Sequence, residues 1–178
     1  DVYKRQDKAE SNQVKIVNSC GFDSIPSDMG VYFIYKDILK KDLQISMRVT
    51  GEKGGYSGGT YASINNIISE ASKNKEIRKD LINPYGLNPE GEKNGPDKRD
   101  LSSVIFDKKI KKWIAPFLMA GINTKIVRRS NALSNYKYGK NFRYDEAVMT
   151  GDGFMGRIRA ILFSIPLIFL TAKPGSIM

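Results

Sequence analysis

The sequence predicts a mixed α/β and α+β fold, and three observations indicate it. Residues 14–20 (VKIVNSC) are interpreted as a buried strand, and a polar turn and a helix to about Lys41 follow. Strand, turn and helix together make a βα unit. Residues 43–50 and 142–149 alternate between apolar and polar side chains, as half-buried strands do. With 178 residues, 40% of them hydrophobic, the chain can form one globular domain, or one domain and part of another.

The residue types that are missing exclude several classes of chemistry. There is no histidine and only one cysteine, Cys20, so the sequence excludes Ser-His-Asp and Cys-His catalysis, internal disulfides and a metal site of His or Cys ligands. The net charge of +10 would attract phosphate groups, but the cations form no dense block, which favours a lysine-rich organism or a missing acidic partner domain as the explanation. Nucleic acid is not an expected partner, because the basic residues 108–112 beside Trp113 accompany no recognised binding motif.

The first half of the chain divides into elements at its turn residues. Residues 1–12 have no apolar period, and we expect a scar or a disordered N-terminus there. A glycine-rich loop should occupy residues 51–60. Residues 73–100 are polar and rich in Pro and Gly, which predicts a functional loop or a mobile insertion. Two helices are predicted from apolar periodicity, the first from Val31, Ile34, Tyr35 and Ile38, the second from Ile64, Ile67, Ile68 and Ala71.

The second half is predicted to hold two further strands and two helices. Residues 103–114 alternate weakly, and a helix should open at Pro116 with Met119, Ile122, Ile126 and Leu133 on one side. The last helix, residues 156–170, contains Pro166. Its apolar run is only 13 residues long, against roughly 20 for a membrane span, so a core helix, a helix on a lipid surface and a truncated span stay as alternatives.

Three motifs allow both a binding and a structural interpretation. Residues 151–156 match G-x-G-x-x-G, but no acidic residue follows them, which favours a simple strand-to-helix turn over a dinucleotide site. The glycine-rich run before the second helix suits either an anion at a helix N-terminus or a flexible turn with an N-cap. Lys125, Arg128 and Arg129 are spaced to clamp a phosphate or carboxylate, or to form a solvated face.

Several of these segments together resemble the saccharopine dehydrogenase-like oxidoreductases, in particular the branch with the trans-acting enoyl reductases. The resemblance rests on residues 20–28 (CGFDSIPSD), 58–63 (GGTYAS), 115–133 and 142–147, and it covers about residues 14–156. It implies a protein of about twice this size, with an N-terminal Rossmann domain. Residues 13–41 would be the terminal βα remnant of that dinucleotide-binding domain, residues 42–156 an α+β substrate and dimerisation domain with a mostly antiparallel sheet, and residues 157–178 a hydrophobic helix and truncated C-terminus.

The resemblance also implies a function and a site. The intact protein would be an NAD(P)-dependent oxidoreductase and a homodimer that reduces a double bond in a lipid-like or small organic substrate. It would be cytoplasmic or peripherally associated with membrane lipid. This piece should not bind NAD(P) tightly. The alternative is a non-catalytic lipid-surface protein of the same fold. The implied catalytic residues are Asp23, Ser24 and Asp28, and the implied substrate- or cofactor-binding residues are Gly21, Phe22, Pro26, Gly58, Gly59, Thr60, Asn123, Arg128 and Arg129.

Overall fold

The computed structural model describes residues 5–16, 21–22, 24–51 and 58–171. Within them the chain is mixed α and β, with one open sheet. The helices are α1 (Gln6–Ser11), α2 (Ile25–Ile38), α3 (Gly58–Lys73), α4 (Lys75–Ile82), α5 (Ala120–Leu133) and α6 (Gly153–Thr171). The strands are β1 (Gln44–Val49), β2 (Ile105–Asp107), β3 (Lys112–Ala115) and β4 (Arg143–Gly151).

The four strands form a mixed sheet in the order β1-β4-β3-β2. β1 runs parallel to β4, with Gln44 opposite Arg143 and Val49 opposite Val148. The other two pairings, β4 with β3 and β3 with β2, are antiparallel. The prediction of one strand over residues 103–114 was wrong, because residues 108–111 turn the chain back on itself and the segment forms a hairpin.

Helices α2 and α5 cover one face of the sheet and share its core. The buried cluster joins Val31 of α2, Val127 of α5 and Tyr144 of β4 to Tyr138 and Phe142 of the intervening turn. The predicted alternation of β1 is confirmed, since Ile45 and Met47 pack against this cluster while Ser46 lies on the opposite, more exposed face. α2, which we assigned to a domain remnant, therefore shares its core with strands of the predicted substrate domain.

Two predicted boundaries differ from the structure. Helix α5 begins at Ala120 and not at Pro116, because β3 extends to Ala115 and residues 116–119 are needed to turn from strand to helix. The polar segment 73–100 is not all loop, since α4 occupies residues 75–82. The side chain of Asn74 caps α4 by accepting hydrogen bonds from the backbone N–H groups of Glu76 (2.8 Å) and Ile77 (3.4 Å).

The N-terminal segment is described only in part. Residues 17–20 of the predicted first strand lie outside the described residues, and residues 14–16 have no regular secondary structure. Residues 6–11, where we expected a scar or disorder, form the short helix α1, which buries no side chain.

The glycines of residues 151–156 are explained by the turn between β4 and α6. Gly151 and Gly153 have φ values of +115° and +56°, which residues other than glycine rarely adopt. A Cβ atom on Gly156 would lie 2.5 Å from the backbone oxygen of Gly151, so the helix packs there directly against the end of the strand. Each glycine is thus required by the strand-to-helix turn itself.

Helix α6 packs against β3 and β4 and buries Ala160 and Ser164. It continues through Pro166. Phe154, Met155 and Leu162 are exposed. Within the described residues, none of the helices combines the length and the hydropathy that a membrane crossing requires.

Candidate functional site

The apolar positions predicted to share one side of α5 lie on the less buried side of the helix. Ile122 is 37% and Leu133 61% exposed, and Met119 and Ile126 are half-buried. The face that packs against the sheet and α2 is largely polar. Its buried residues are Ala120, Asn123, Thr124, Lys125, Val127, Arg128, Asn131 and Ala132.

A chain of hydrogen bonds links α2, α5 and β4 through Asn123. The hydroxyl of Ser24 donates to Oδ1 of Asn123 (3.0 Å), and Nδ2 of Asn123 donates to Oε2 of Glu146 (3.1 Å). The hydroxyl of Tyr144 donates to the other carboxyl oxygen, Oε1 of Glu146 (2.7 Å). Both oxygens of a carboxyl group that is 1% exposed are therefore paired, as a buried acidic group requires.

Burial dominates the titration of this network. It raises the pKa of Glu146, and hydrogen bonds from neighbouring side chains, including Tyr144 and Asn123, offset only part of the rise. Burial, with the adjacent Glu146 carboxylate, also raises the pKa of Tyr144. A buried carboxyl group of raised pKa is a common feature of functional sites, although structural networks produce it as well.

A second contact between α2 and α5 involves Asp28. Its Oδ2 accepts a hydrogen bond from the hydroxyl of Ser130 (2.9 Å), and its buried Oδ1 has no hydrogen-bond partner among the described residues. Burial raises the pKa of Asp28, and the Ser130 hydrogen bond opposes that rise. The structure therefore places Ser24 and Asp28, two of the predicted catalytic residues, on the polar face that α2 turns towards α5.

The other predicted residues of this turn point elsewhere or lie outside the description. Phe22 is 89% exposed, and Gly21 and Pro26 are exposed as well. Asp23 lies outside the described residues. The structure thus joins Ser24 to Asn123, places Asp28 against Ser130 of the same helix α5, and leaves Phe22 at the surface.

Arg128 connects three segments and is 3% exposed. Its Nε donates to Oδ2 of Asp97 (2.7 Å), and its terminal nitrogens donate to the backbone oxygens of Pro84 (3.0 Å) and Tyr144 (3.0 Å). Further contacts reach Thr124 and Asp100, and the guanidinium carbon lies 5.6 Å from the centre of the Tyr85 ring. Groups of the protein itself already bind this guanidinium group. This favours a structural role for Arg128 over the predicted clamp for a substrate acid.

The other two cations of α5 bind the segment around α4. The ammonium group of Lys125 donates to the backbone oxygens of Asp80 (3.2 Å) and Leu81 (2.5 Å) in the last turn of α4. Arg129 donates to the backbone oxygen of Leu87. Cations stabilise the negative end of a helix dipole, so Lys125 acts as a C-terminal partner of α4. Burial lowers the pKa of Lys125.

An open apolar groove of about 800 Å³ lies between α3, α4 and the first turns of α5. Gly59 lines it, whereas Gly58 is exposed, and the side chain of Thr60 lies outside the described part. Ile122, from the outward face of α5, contributes to its wall. The complete lining is Gly59, Ser63, Ile64, Ile67, Ile77, Asp80, Leu81, Leu87, Leu118, Met119, Gly121, Ile122 and Lys125.

A second cavity, of about 510 Å³, has charged walls and includes the exposed side of β1. Arg48 spans it, with Oδ1 of Asp145 at 2.5 Å from one terminal nitrogen and Oδ2 of Asp107 at 3.2 Å from the other. The buried Nε of Arg48 has no hydrogen-bond partner among the described residues. The two cavities therefore differ in chemistry, one suited to hydrocarbon and the other to polar groups.

Sequence reasoning missed Glu146, Tyr144 and the groove. The signal for Glu146 was present, because the predicted strand 142–149 alternates so that Phe142, Tyr144 and Glu146 share one face. An acid on the apolar face of a strand predicts a buried carboxyl group. The groove had no comparable signal, since its walls come from segments that are far apart in sequence. No group of three Cys, Asp or Glu side chains in the described part of the chain is placed to hold a metal ion.

Comparison with known proteins gives consistent names but partial coverage. The chain is 37% identical over 172 residues to the "Putative trans-acting enoyl reductase" of Mycobacterium tuberculosis (strain ATCC 25618 / H37Rv), covering 91% of this chain and 41% of that protein. It is 33% identical to the "Trans-acting enoyl reductase" of Mycobacterium bovis (strain BCG / Pasteur 1173P2), over 90% of this chain and 40% of the relative. It is 31% identical to the protein of that name in Mycobacterium leprae (strain TN), over 85% of this chain and 38% of the relative.

No family model and no solved structure matches the chain. The wider saccharopine dehydrogenase-like resemblance therefore stays a prediction. The chain is homologous to proteins named trans-acting enoyl reductase, and it spans less than half of the length of these relatives.

Proposed function

We propose that this chain is the substrate-side part of an enoyl reductase, and that the groove between α3, α4 and α5 holds the apolar part of an enoyl substrate. The observation that carries the proposal is the groove itself. Its volume of about 800 Å³ falls in the range of ligand pockets, roughly 300–1,000 Å³, and most of its walls are aliphatic. The names of the homologues support a reductase that acts on an unsaturated acyl group.

The nicotinamide cofactor is proposed to be bound by residues outside this chain. A dinucleotide site needs a glycine-rich turn that leaves room for pyrophosphate, followed by an acidic residue for the ribose. The turn at Gly151–Gly156 does not fit, because Gly156 packs against Gly151 and no acidic residue follows Asp152. The extra length of the homologues provides room for such a domain. We therefore derive no hydride-transfer step from the residues described.

Beside the groove, the polar groups of the proposed substrate region form a network of hydrogen bonds between the start of α2, α5 and β4. Ser24 and Asp28 start the helix that packs on α5, and Glu146 is linked to Ser24 through Asn123. We propose that this network fixes the position of the turn at residues 21–28, which the resemblance assigns to the site. In that role Glu146 and Asn123 are positioning residues.

The test uses the longer protein that contains this chain, a long-chain and a short-chain trans-2-enoyl thioester, and reduced nicotinamide consumption as the readout. Ile67→Glu should raise KM for the long-chain thioester about tenfold or more and leave the short-chain value nearly unchanged, because a charge in the groove opposes burial of the chain only. Ile68→Glu, at the neighbouring position on α3 and outside the groove lining, is the matched control.

The outcomes separate the activity from the location of the substrate. Consumption of neither NADH nor NADPH by a folded protein with any enoyl thioester would refute the reductase proposal. Equal effects of Ile67→Glu and Ile68→Glu on the long-chain KM would refute the assignment of the groove.

A further inference from the structure

The lining of the apolar groove includes a few polar side chains, among them the hydroxyl of Ser63. Among its lining residues only Asp80 and Lys125 are charged. The carboxylate of Asp80 is already engaged by the ammonium group of Lys93, at 3.2 Å. Lys125 is therefore the charged donor that the groove presents to a ligand.

Lys125 is held in place by two hydrogen bonds, and the described residues provide no acceptor for its third N–H group. It is 6% exposed, and two of its N–H groups are directed at the backbone oxygens of Asp80 and Leu81. An ammonium group carries three N–H donors. The described residues provide acceptors for two of them and none for the third. A buried charged donor without an acceptor is costly, so a ligand oxygen at this point would be bound favourably.

The residues that share the groove with Lys125 restrict the kind of ligand it could hold. Ile64 and Ile67 of α3 and Ile122 of α5 line the same cavity as Lys125. A ligand that satisfies both parts has a straight apolar chain and an acceptor oxygen at its end. Carboxylates and acyl thioesters both present a carbonyl-type oxygen of this kind.

We propose that Lys125 is the head-group determinant of the groove, and that its third N–H, for which the described residues provide no acceptor, donates a hydrogen bond to the carbonyl or carboxylate oxygen of a straight-chain acyl ligand. This inference rests on the proposed function only in taking the groove as the place where the acyl chain lies. It assigns a recognition role to a residue that also supports the end of α4.

The test measures binding, not turnover, by the longer protein that contains this chain. The probes are S-dodecanoyl-N-acetylcysteamine, its thioether analogue S-dodecyl-N-acetylcysteamine, which lacks the carbonyl oxygen, and dodecanoate. The protein should bind the thioester about tenfold more tightly than the thioether, the difference expected for one hydrogen bond from a charged donor. Tighter binding of dodecanoate than of the thioester would identify a free acid as the ligand, and the reverse order an acyl thioester.

Two variants separate recognition from support of α4. Lys125→Met should bind the thioester and the thioether equally, whereas Lys93→Met, which removes the other cation bonded to Asp80, should keep the preference. Lys125→Arg should restore part of it. A preference that survives in Lys125→Met would overturn the inference, as would a failure of all three probes to bind, which would mean that another part of the protein fills the groove. Binding with the expected preference, in a protein that consumes neither NADH nor NADPH with the trans-2-enoyl thioesters, would refute the reductase activity alone.

Discussion

The two faces of α5 reverse the usual distribution of polarity, and the reversal separates the structural part of this molecule from the binding part. The inward face carries Asn123, Arg128 and Asn131, all buried. The outward face carries Met119, Ile122 and Leu133, of which the first two line the apolar groove. In an ordinary surface helix the apolar stripe would face the core.

The inward face is stable because its polar groups are paired. Asn131 donates to the backbone oxygen of Gly139 (2.9 Å) and accepts from the backbone N–H of Tyr138 (2.9 Å). Arg128 and Asn123 are paired through Asp97 and Glu146. Buried hydrogen bonds are directional, so they fix the rotation of α5 more sharply than apolar packing would. The fixed rotation in turn presents the apolar positions to the groove.

The largest effect should follow from breaking the inward face at Arg128. Replacing it by Met leaves Asp97, 8% exposed at its side chain, without its cation and two backbone oxygens without donors. We expect a loss of about 3–5 kcal/mol in the free energy of unfolding, measured by urea denaturation. Arg129→Met, which removes a single hydrogen bond to Leu87, should cost about 1 kcal/mol. Equal losses would show that the charge network does not hold α5.

The two faces can be compared directly by trimming one apolar side chain on each. Val127 is fully buried in the core, and Ile122 is at the groove wall. Val127→Ala should cost about 2 kcal/mol, from lost burial and a cavity, even though fewer atoms are removed. Ile122→Ala should cost about 0.5 kcal/mol or less in the same measurement. A larger loss for Ile122 would mean that the outward face belongs to the core.

Sequence patterns predicted the elements better than their orientation. The periods of α2, β1 and β4 come from side chains close in sequence, and each element was found near its predicted place. The orientation of α5 depends on partners such as Ser24, which is 99 residues from Asn123. Without those partners, Asn123 and Arg128 look like a solvated face, and Ile122 looks like core.

The same argument explains which parts of the candidate site were foreseen. Ser24, Asp28 and Asn123 were identified through a resemblance between short motifs, and the structure joins Ser24 to Asn123 and places Asp28 against the same helix at Ser130. Lys125 was noticed only as part of a basic cluster with Arg128 and Arg129. Its place at the groove depends on α4, a helix that the polar composition of residues 73–100 concealed.

The smallest predicted effect concerns the pH dependence of the inward face. Burial raises the pKa of Glu146 in the folded state above its ordinary value of about 4.3. At pH values between the ordinary pKa and the raised folded-state pKa of Glu146, the folded protein binds more protons than the unfolded chain. The contribution of this group to stability is therefore present at acidic pH and is lost as the pH rises through the folded-state pKa. The free energy of unfolding should therefore contain a component that falls with pH.

Glu146→Gln removes that component, since Gln does not titrate. The advantage of the unmodified protein over the variant should be greatest at acidic pH and should shrink as pH rises, measured by urea denaturation across the series. The other perturbed carboxyl groups contribute equally to both proteins and cancel from the difference: Asp28 and Asp100, whose pKa values burial raises, and Asp107 and Asp152, whose pKa values are lowered. Glu70→Gln, on the exposed side of α3, is the matched control. If Glu146→Gln and the unmodified protein show the same slope, the carboxyl group is hydrated in solution. The inward face of α5 would then be less dry than its paired side chains indicate, and the contrast with the groove correspondingly weaker.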